Sequence, residues 1–191
     1  MGSAKIVISG PNGTDSSATS FLYTRPTAVA DPSWLFVGAP GFSATRAMEV
    51  KIKVGSDNLP YVSFRDSLGR AVVEKYSGSS WSVLGGPISG TGTLYVSLAL
   101  DNNNAPVVAY ADSMTGNITV QRYNGTQWQV LGSANFGKVF HSYTATIPMG
   151  VDANNNIYVL TGPTTSSLQV YRFNGTSWAG YGSTPAASGV S

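Results

Sequence analysis

The sequence predicts an all-β protein, a small β-propeller of about four four-stranded antiparallel blades. Three observations predict it. A short hairpin pattern occurs three times. Tryptophans recur every 47 to 50 residues, at Trp34, Trp81, Trp128 and Trp178. No long segment spaces its apolar residues as a helix would. A period in this range marks propeller blades or another repeat array.

The hairpin is the clearest element. It reads Lys75-Tyr76-Ser77-Gly78-Ser79-Ser80-Trp81, then Arg122-Tyr123-Asn124-Gly125-Thr126-Gln127-Trp128, then Arg172-Phe173-Asn174-Gly175-Thr176-Ser177-Trp178. Asn-Gly between β-formers predicts a two-residue type I′ turn, which needs positive φ at both central residues. On that count Tyr123 pairs with Thr126, Arg122 with Gln127 and Gln121 with Trp128. Tyr123 and Trp128 then lie on one face as diagonal neighbours. The other face carries Ile118 and Val120, or Leu168 and Val170. A hairpin apolar on both faces is expected to lie between other sheets.

Two strands precede each hairpin. Val50 to Asn58, Val96 to Asn104 and Ile147 to Asn155 align as an alternating strand running into a polar turn. Pro60 to Asp66, Pro106 to Asp112 and Ile157 to Gly162 align as a second strand. Each repeat is thus four short strands joined by tight turns, the content of one blade. The repeats run over residues 47–93, 94–140 and 141–191, and residues 1–46 form a degenerate first copy. There, Lys5 to Ser9 is expected as the first strand, Gly10-Pro11-Asn12-Gly13 as a turn, Phe21 to Thr24 as the second strand and Thr27 to Ala30 as a short third. After each tryptophan comes a glycine-bearing exit: Gly38, Gly85, Gly132 and Gly182. The whole chain, 1–191, reads as a single propeller domain. Four such repeats close into a ring, form an arc of a longer array, or join other copies as a homo-oligomer. The sequence leaves the three open.

Composition narrows the function classes. Charged residues make up 10% of the chain, net charge is +2 and there is no basic run, so nucleic acid is not an expected partner. With no cysteine, disulfides and thiolate metal sites are excluded. No segment approaches the about 20 apolar residues of a membrane span. The N-terminus lacks an apolar signal segment, although a secreted or cell-surface location is expected from the class of repeat. Asn12, Asn117, Asn124 and Asn174 stand in N-x-S/T sequons.

Candidate sites follow from residue type and place. The tryptophans, with Gly78, Gly125 and Gly175, read as structural markers of the repeat, because a periodic aromatic serves the core. Arg65, Asp66, Tyr110 and Asp112 close second strands or lie in them, and are the candidate ligand-binding rim. The competing reading of the two aspartates is a strand-end turn carboxylate. Lys75, Arg122 and Arg172 hold one position in three repeats and are expected to spread around a ring. Asp152, Asn154 and Asn156 match the start of a calcium loop, without its glycine or terminal glutamate. A turn between the first two strands explains them, because Asp and Asn bond their own backbone there, so no metal or other cofactor is expected. His141 is the single histidine, and no serine stands in a nucleophile elbow.

Ile157-Tyr158-Val159-Leu160-Thr161-Gly162, followed by Val170-Tyr171-Arg172-Phe173 and Trp178, resembles kelch-type propeller repeats. The kelch double glycine is replaced by Arg65-Asp66 and Ala111-Asp112. The hairpin is also similar to uncharacterised secreted repeats built on an Asn-Gly-Thr-x-Trp unit. Gly78, Gly125 and Gly175 stand three before a tryptophan as in the Asp-box of sialidase-like propellers, but Tyr76, Tyr123 and Phe173 hold the place of that box's aspartate. These resemblances imply a propeller that binds without chemistry, with carbohydrate first and a protein partner second as ligand. The competing classes are a glycosidase- or sialidase-like enzyme and a purely structural repeat segment.

Overall fold

The computed structural model describes residues 2–4, 7–10, 13–16, 21–23, 35–139, 146–164 and 167–182. Trp34, Thr27 to Ala30, His141 and the tail after Gly182 lie outside the described residues. The described chain is all-β, with no helix. It divides into two compact units, Met1–Phe36 and Val37–Ser191.

In the first unit, β1 (Gly2–Ala4) pairs with β4 (Phe21–Tyr23), and β2 (Val7–Gly10) pairs with β3 (Gly13–Ser16), all antiparallel. Gly10 pairs with Gly13 at the end of the β2–β3 ladder, and the residues between them lie outside the described residues. The strand leading to Gly10 is described from Val7, and Lys5 and Ile6 lie outside the described residues.

The second unit holds three antiparallel sheets in chain order. The first is β5 (Met48–Val54), β6 (Pro60–Arg65), β7 (Ala71–Tyr76) and β8 (Trp81–Val83). The second is β9 (Thr93–Leu100), β10 (Pro106–Asp112), β11 (Asn117–Tyr123) and β12 (Trp128–Val130), with β13 (Phe136–Lys138) added beside β11. The third is β14 (Met149–Val151), β15 (Ile157–Thr164), β16 (Ser167–Phe173) and β17 (Trp178–Gly180). Each is the four-stranded meander that the repeat predicts.

Alternation in the strands builds two cores between the sheets. Tyr61, Ala71 and Val73 of the first sheet pack with Val96, Leu98 and Val108 of the second. Val107, Ala109, Ile118 and Val120, from the opposite face of the second sheet, pack with Ile157 and Val159 of the third. The second sheet is therefore buried on both faces, as the hairpin pattern requires. On the far face of the first sheet, Val62, Phe64 and Val72 are covered with Ala47 and Trp81. Inner strands β5 and β9 each carry a bulge, where Glu49 and Tyr95 take positive φ of 56° and 58°. Such backbone is uncommon outside glycine and asparagine.

The hairpins differ from the expected turn. Tyr123 lies directly opposite Trp128, and Arg122 opposite Gln129. The loop therefore spans four residues, closed by the Asn124 N–H donating to the Gln127 carbonyl at 3.1 Å. The asparagine side chain does the work assigned to positive φ. Its Oδ1 accepts from the N–H groups of Thr126 and Gln127 at 3.0 and 2.9 Å. Asn174 caps its loop in the same way. Only the glycine needs the left-handed region, at φ +100° for Gly125. The two-residue shift preserves facing, so Tyr123 and Trp128 still touch, their centroids 5.3 Å apart.

One device locks sheet to sheet. The indole N–H of Trp128 donates to the Leu84 carbonyl at 2.8 Å, in the exit turn of the preceding sheet. Trp178 donates to Leu131 at 2.7 Å, and Trp81 to Val37 at 2.8 Å. The next residue in each exit is a glycine with positive φ: Gly38, Gly85 or Gly132. A Cβ on Gly85 would stand 2.9 Å from Tyr123 and 3.1 Å from Trp128, so glycine is what lets the indole come down on the turn.

Candidate functional site

The first-to-second-strand turns line one end of the sheets. Asn58, Asn104 and Asn155 hold the same place in their turns, each with φ near +60°. Asparagine tolerates that conformation better than most side chains. Asp101 and Asp152 open their turns and accept backbone N–H groups across them, from Asn103 and Ala105 and from Asn154 and Asn156. The turns are also joined between sheets. Asn104 Oδ1 accepts the Ser56 N–H at 2.8 Å, and Asn155 Oδ1 accepts the Asn102 N–H at 2.7 Å.

The cations of the hairpins rise beside these turns. Lys75 reaches Asp57 at 3.2 Å and sits 4.8 Å from the centre of the Tyr61 ring. Tyr61, then Asp57, hold its ammonium above the usual lysine range despite the opposing effect of burial. Arg172 donates to Asn156 Oδ1 at 2.7 Å and lies 5.8 Å from the Tyr181 ring. Arg122 differs. Among the described residues it has one partner, Asp101, at the loose distance of 3.9 Å. Most of its five donors are unspent.

Arg122 stands on a cleft of about 590 Å3 between the first and second sheets. Lys75 and Tyr61 line it from the first sheet, and Asp101, Asn103, Asn104 and Tyr123 from the second. Equivalent cations were expected to spread around the array. Arg172 does stand apart, but a cleft between consecutive sheets receives one cation from each, and this brings Lys75 and Arg122 together. Tyr61 has no counterpart one repeat on, where Val107 occupies its place among the buried residues.

The four rim candidates do not share one site. The Arg65 Nε lies 3.2 Å from Glu49, at the bulge. Asp66 is buried in its own turn. It accepts from the Leu68 and Arg70 N–H groups and pairs with the Arg70 guanidinium at 2.7 Å. Tyr110 and Asp112 do come together, in a smaller cleft of about 320 Å3 with Thr93, Thr119 and Asn135. There the Tyr110 hydroxyl accepts from Gln121 at 2.8 Å, and burial pushes its pKa up. Asp112 Oδ1 accepts from the N–H groups of Met114 and Thr115, a turn role.

Asp152 is engaged by Asn156 and Asn154 and by the Tyr158 hydroxyl. These hydrogen bonds, that of the Asn156 side chain first, hold its carboxyl below the ordinary value. Among the described residues no group of three or more His, Cys, Asp or Glu side chains is placed to hold a metal. Glu74 is a buried carboxyl that the sequence did not single out. Burial pushes its pKa up, and among the described residues it makes no hydrogen bond or ion pair. Gln121 holds the corresponding place in the next sheet and donates to the Ile88 carbonyl and to Tyr110.

No family model matches the chain, and no curated protein matches it. Among solved structures it is similar to a fucose lectin from Kordia zhangzhouensis, determined in complex with methyl-fucoside. The identity is 14% and the TM-score 0.46, over 71% of this chain and 99% of that chain. No described helix is long and apolar enough to cross a membrane.

Proposed function

We propose that this protein is a non-catalytic recognition module that binds carbohydrate in the cleft between its first and second sheets. The observation that carries the reading is Arg122. Its guanidinium stands on a concave site with donors unspent, beside the acceptor Asp101 and the side chains of Asn103 and Asn104. A sugar offers vicinal hydroxyls that both accept and donate. Charge-assisted hydrogen bonds to a guanidinium and a carboxylate suit such pairs. The cleft volume lies in the range of small-ligand sites, and a few convergent polar groups on a partly apolar wall give orientation. Pro106 and Tyr123 supply apolar surface for a ring face.

A glycan array with neutral and acidic saccharides, followed by calorimetry on the hits, tests this. Arg122→Ala is expected to weaken a hit about ten- to hundredfold, the loss of one or two hydrogen bonds to a charged group. Arg172→Ala, which removes a guanidinium held by Asn156 outside the cleft, is expected to leave affinity unchanged. An array without hits, or equal losses from the two variants, would reject the proposal.

A further inference from the structure

We propose that the saccharide of the cleft between the first and second sheets is an acidic one, whose carboxylate or sulfate groups meet Arg122 and Lys53. A balance of donors and acceptors carries the assignment, which rests on that cleft being the saccharide site proposed above. The carboxylates there are largely spent on the protein itself. Asp101 Oδ1 accepts the N–H groups of Asn103 and Ala105 at 2.9 and 2.8 Å, which leaves Oδ2, 3.9 Å from Arg122. Asp57 Oδ1 accepts the Leu59 N–H at 3.1 Å, and its Oδ2 accepts from the Lys75 ammonium at 3.2 Å.

The donors are not spent. A guanidinium brings five N–H donors and an ammonium three. Arg122 has only its loose contact with Asp101 among the described residues. Lys53 stands directly opposite Tyr61 in the β5–β6 ladder, as Lys75 does in the β6–β7 ladder. Side chains directly opposite one another share a face, with Cβ atoms about 5 Å apart, so a lysine flanks Tyr61 on either side. Lys53 is exposed, and among the described residues it makes no hydrogen bond or ion pair. Lys53, Lys75 and Arg122 are thus set against Asp57 and Asp101, with most of the spare capacity on the cations. A sugar hydroxyl both donates and accepts, whereas a carboxylate or sulfate oxygen accepts only, and charge-assisted bonds to it are the stronger ones. The surplus of donors therefore matches an acidic saccharide. Lys53 is also not a demand of the repeat. Ala99, opposite Val107, and Gly150, opposite Tyr158, hold its place in the next two sheets.

A glycan array read as matched pairs tests this, with uronic acid chains against their methyl esters and sulfated chains against their desulfated forms. Hits are expected on acidic members, about tenfold or more above their neutral partners, the worth of one hydrogen bond to a charged group. The esters identify a carboxylate ligand and the desulfated chains a sulfate one. In calorimetry on the best acidic hit, affinity is expected to fall as sodium chloride is raised, because exposed charges are screened. Lys53→Gln is expected to lower it about two- to fivefold, the range of an exposed ion pair. Lys53→Arg, which keeps the charge, is expected to bind as the wild type does. Lys138→Gln makes the same change of net charge beside Asn117, at the other end of β11 from Arg122, and is expected to leave affinity unchanged. Lys53 is exposed, so the fold should survive its substitution, and circular dichroism melts check this. Hits confined to neutral saccharides and weakened by Arg122→Ala would overturn this proposal and leave the carbohydrate reading standing. An array without hits would reject that reading, and this proposal with it. No loss from Lys53→Gln, or equal losses from Lys53→Gln and Lys138→Gln, would also overturn it.

Discussion

Trp178→Ala will destabilise the second unit by about 3–5 kcal/mol, the range for emptying a well-packed large aromatic site. Three contacts vanish together. The indole N–H no longer reaches the Leu131 carbonyl, and the stack on Phe136, 4.2 Å away and 5° from parallel, is lost. The tilted contact with Phe173 at 5.3 Å goes as well. Gly132, in the left-handed region with the indole lying on it, is left beside a void. Trp178→Phe separates these effects. It keeps a ring against Phe136 and removes the donor with part of the indole's area, for about 1–2 kcal/mol. Urea unfolding followed by β-sheet circular dichroism measures both. A loss for Trp178→Ala within 1 kcal/mol of that for Trp178→Phe would mean that the stacked rings contribute little.

Asp66→Ala will cost about 1–3 kcal/mol, the range for leaving buried donors without their acceptor. It strands the Arg70 guanidinium and two backbone N–H groups that now end on one carboxylate. Burial alone would raise the Asp66 pKa. The hydrogen bonds from Arg70 and Leu68 and the Arg70 charge outweigh it and leave the carboxyl below its ordinary 3.8. The folded protein therefore holds this proton less tightly than the unfolded chain. The stabilisation is complete above the unfolded value and is lost as pH falls from there through the lower folded value. Wild-type stability should drop in that acid window. The drop should be smaller in Asp66→Ala, measured as urea midpoint against pH. An equal acid slope in both proteins would assign the loss to other carboxylates.

The repeat was legible because its signals are local. Four strands, the polar turns and the tryptophan spacing are each written within a single stretch, and three sheets follow them. The hairpin register was misread by two residues for a definite reason. Asn-Gly is ambiguous between a tight turn set by φ and a wider loop capped by the asparagine side chain. Asn124 and Asn174 take the second. The destination of the indoles was hidden because it is non-local. Trp128 and Leu84 are 44 residues apart, and only the recurring glycine four residues after each tryptophan hinted at a prepared place. The candidate cleft was missed for a similar reason. Lys75 and Arg122 look dispersed when each is assigned to its own repeat, and they converge because the site belongs to the gap between two repeats. Asp66 and Asp112 show the reverse. Their turn chemistry was readable from sequence, and each accepts backbone N–H groups of its own turn.

Hydrogen–deuterium exchange of the tryptophan indole protons, read residue by residue by NMR, tests most directly whether consecutive sheets are locked indole to exit turn. The account predicts slow exchange at Trp81, Trp128 and Trp178, with each proton's protection lost when the glycine beneath it, at 38, 85 or 132, is replaced by valine. Indole protons that exchange at the rate of free tryptophan in the native protein would contradict it.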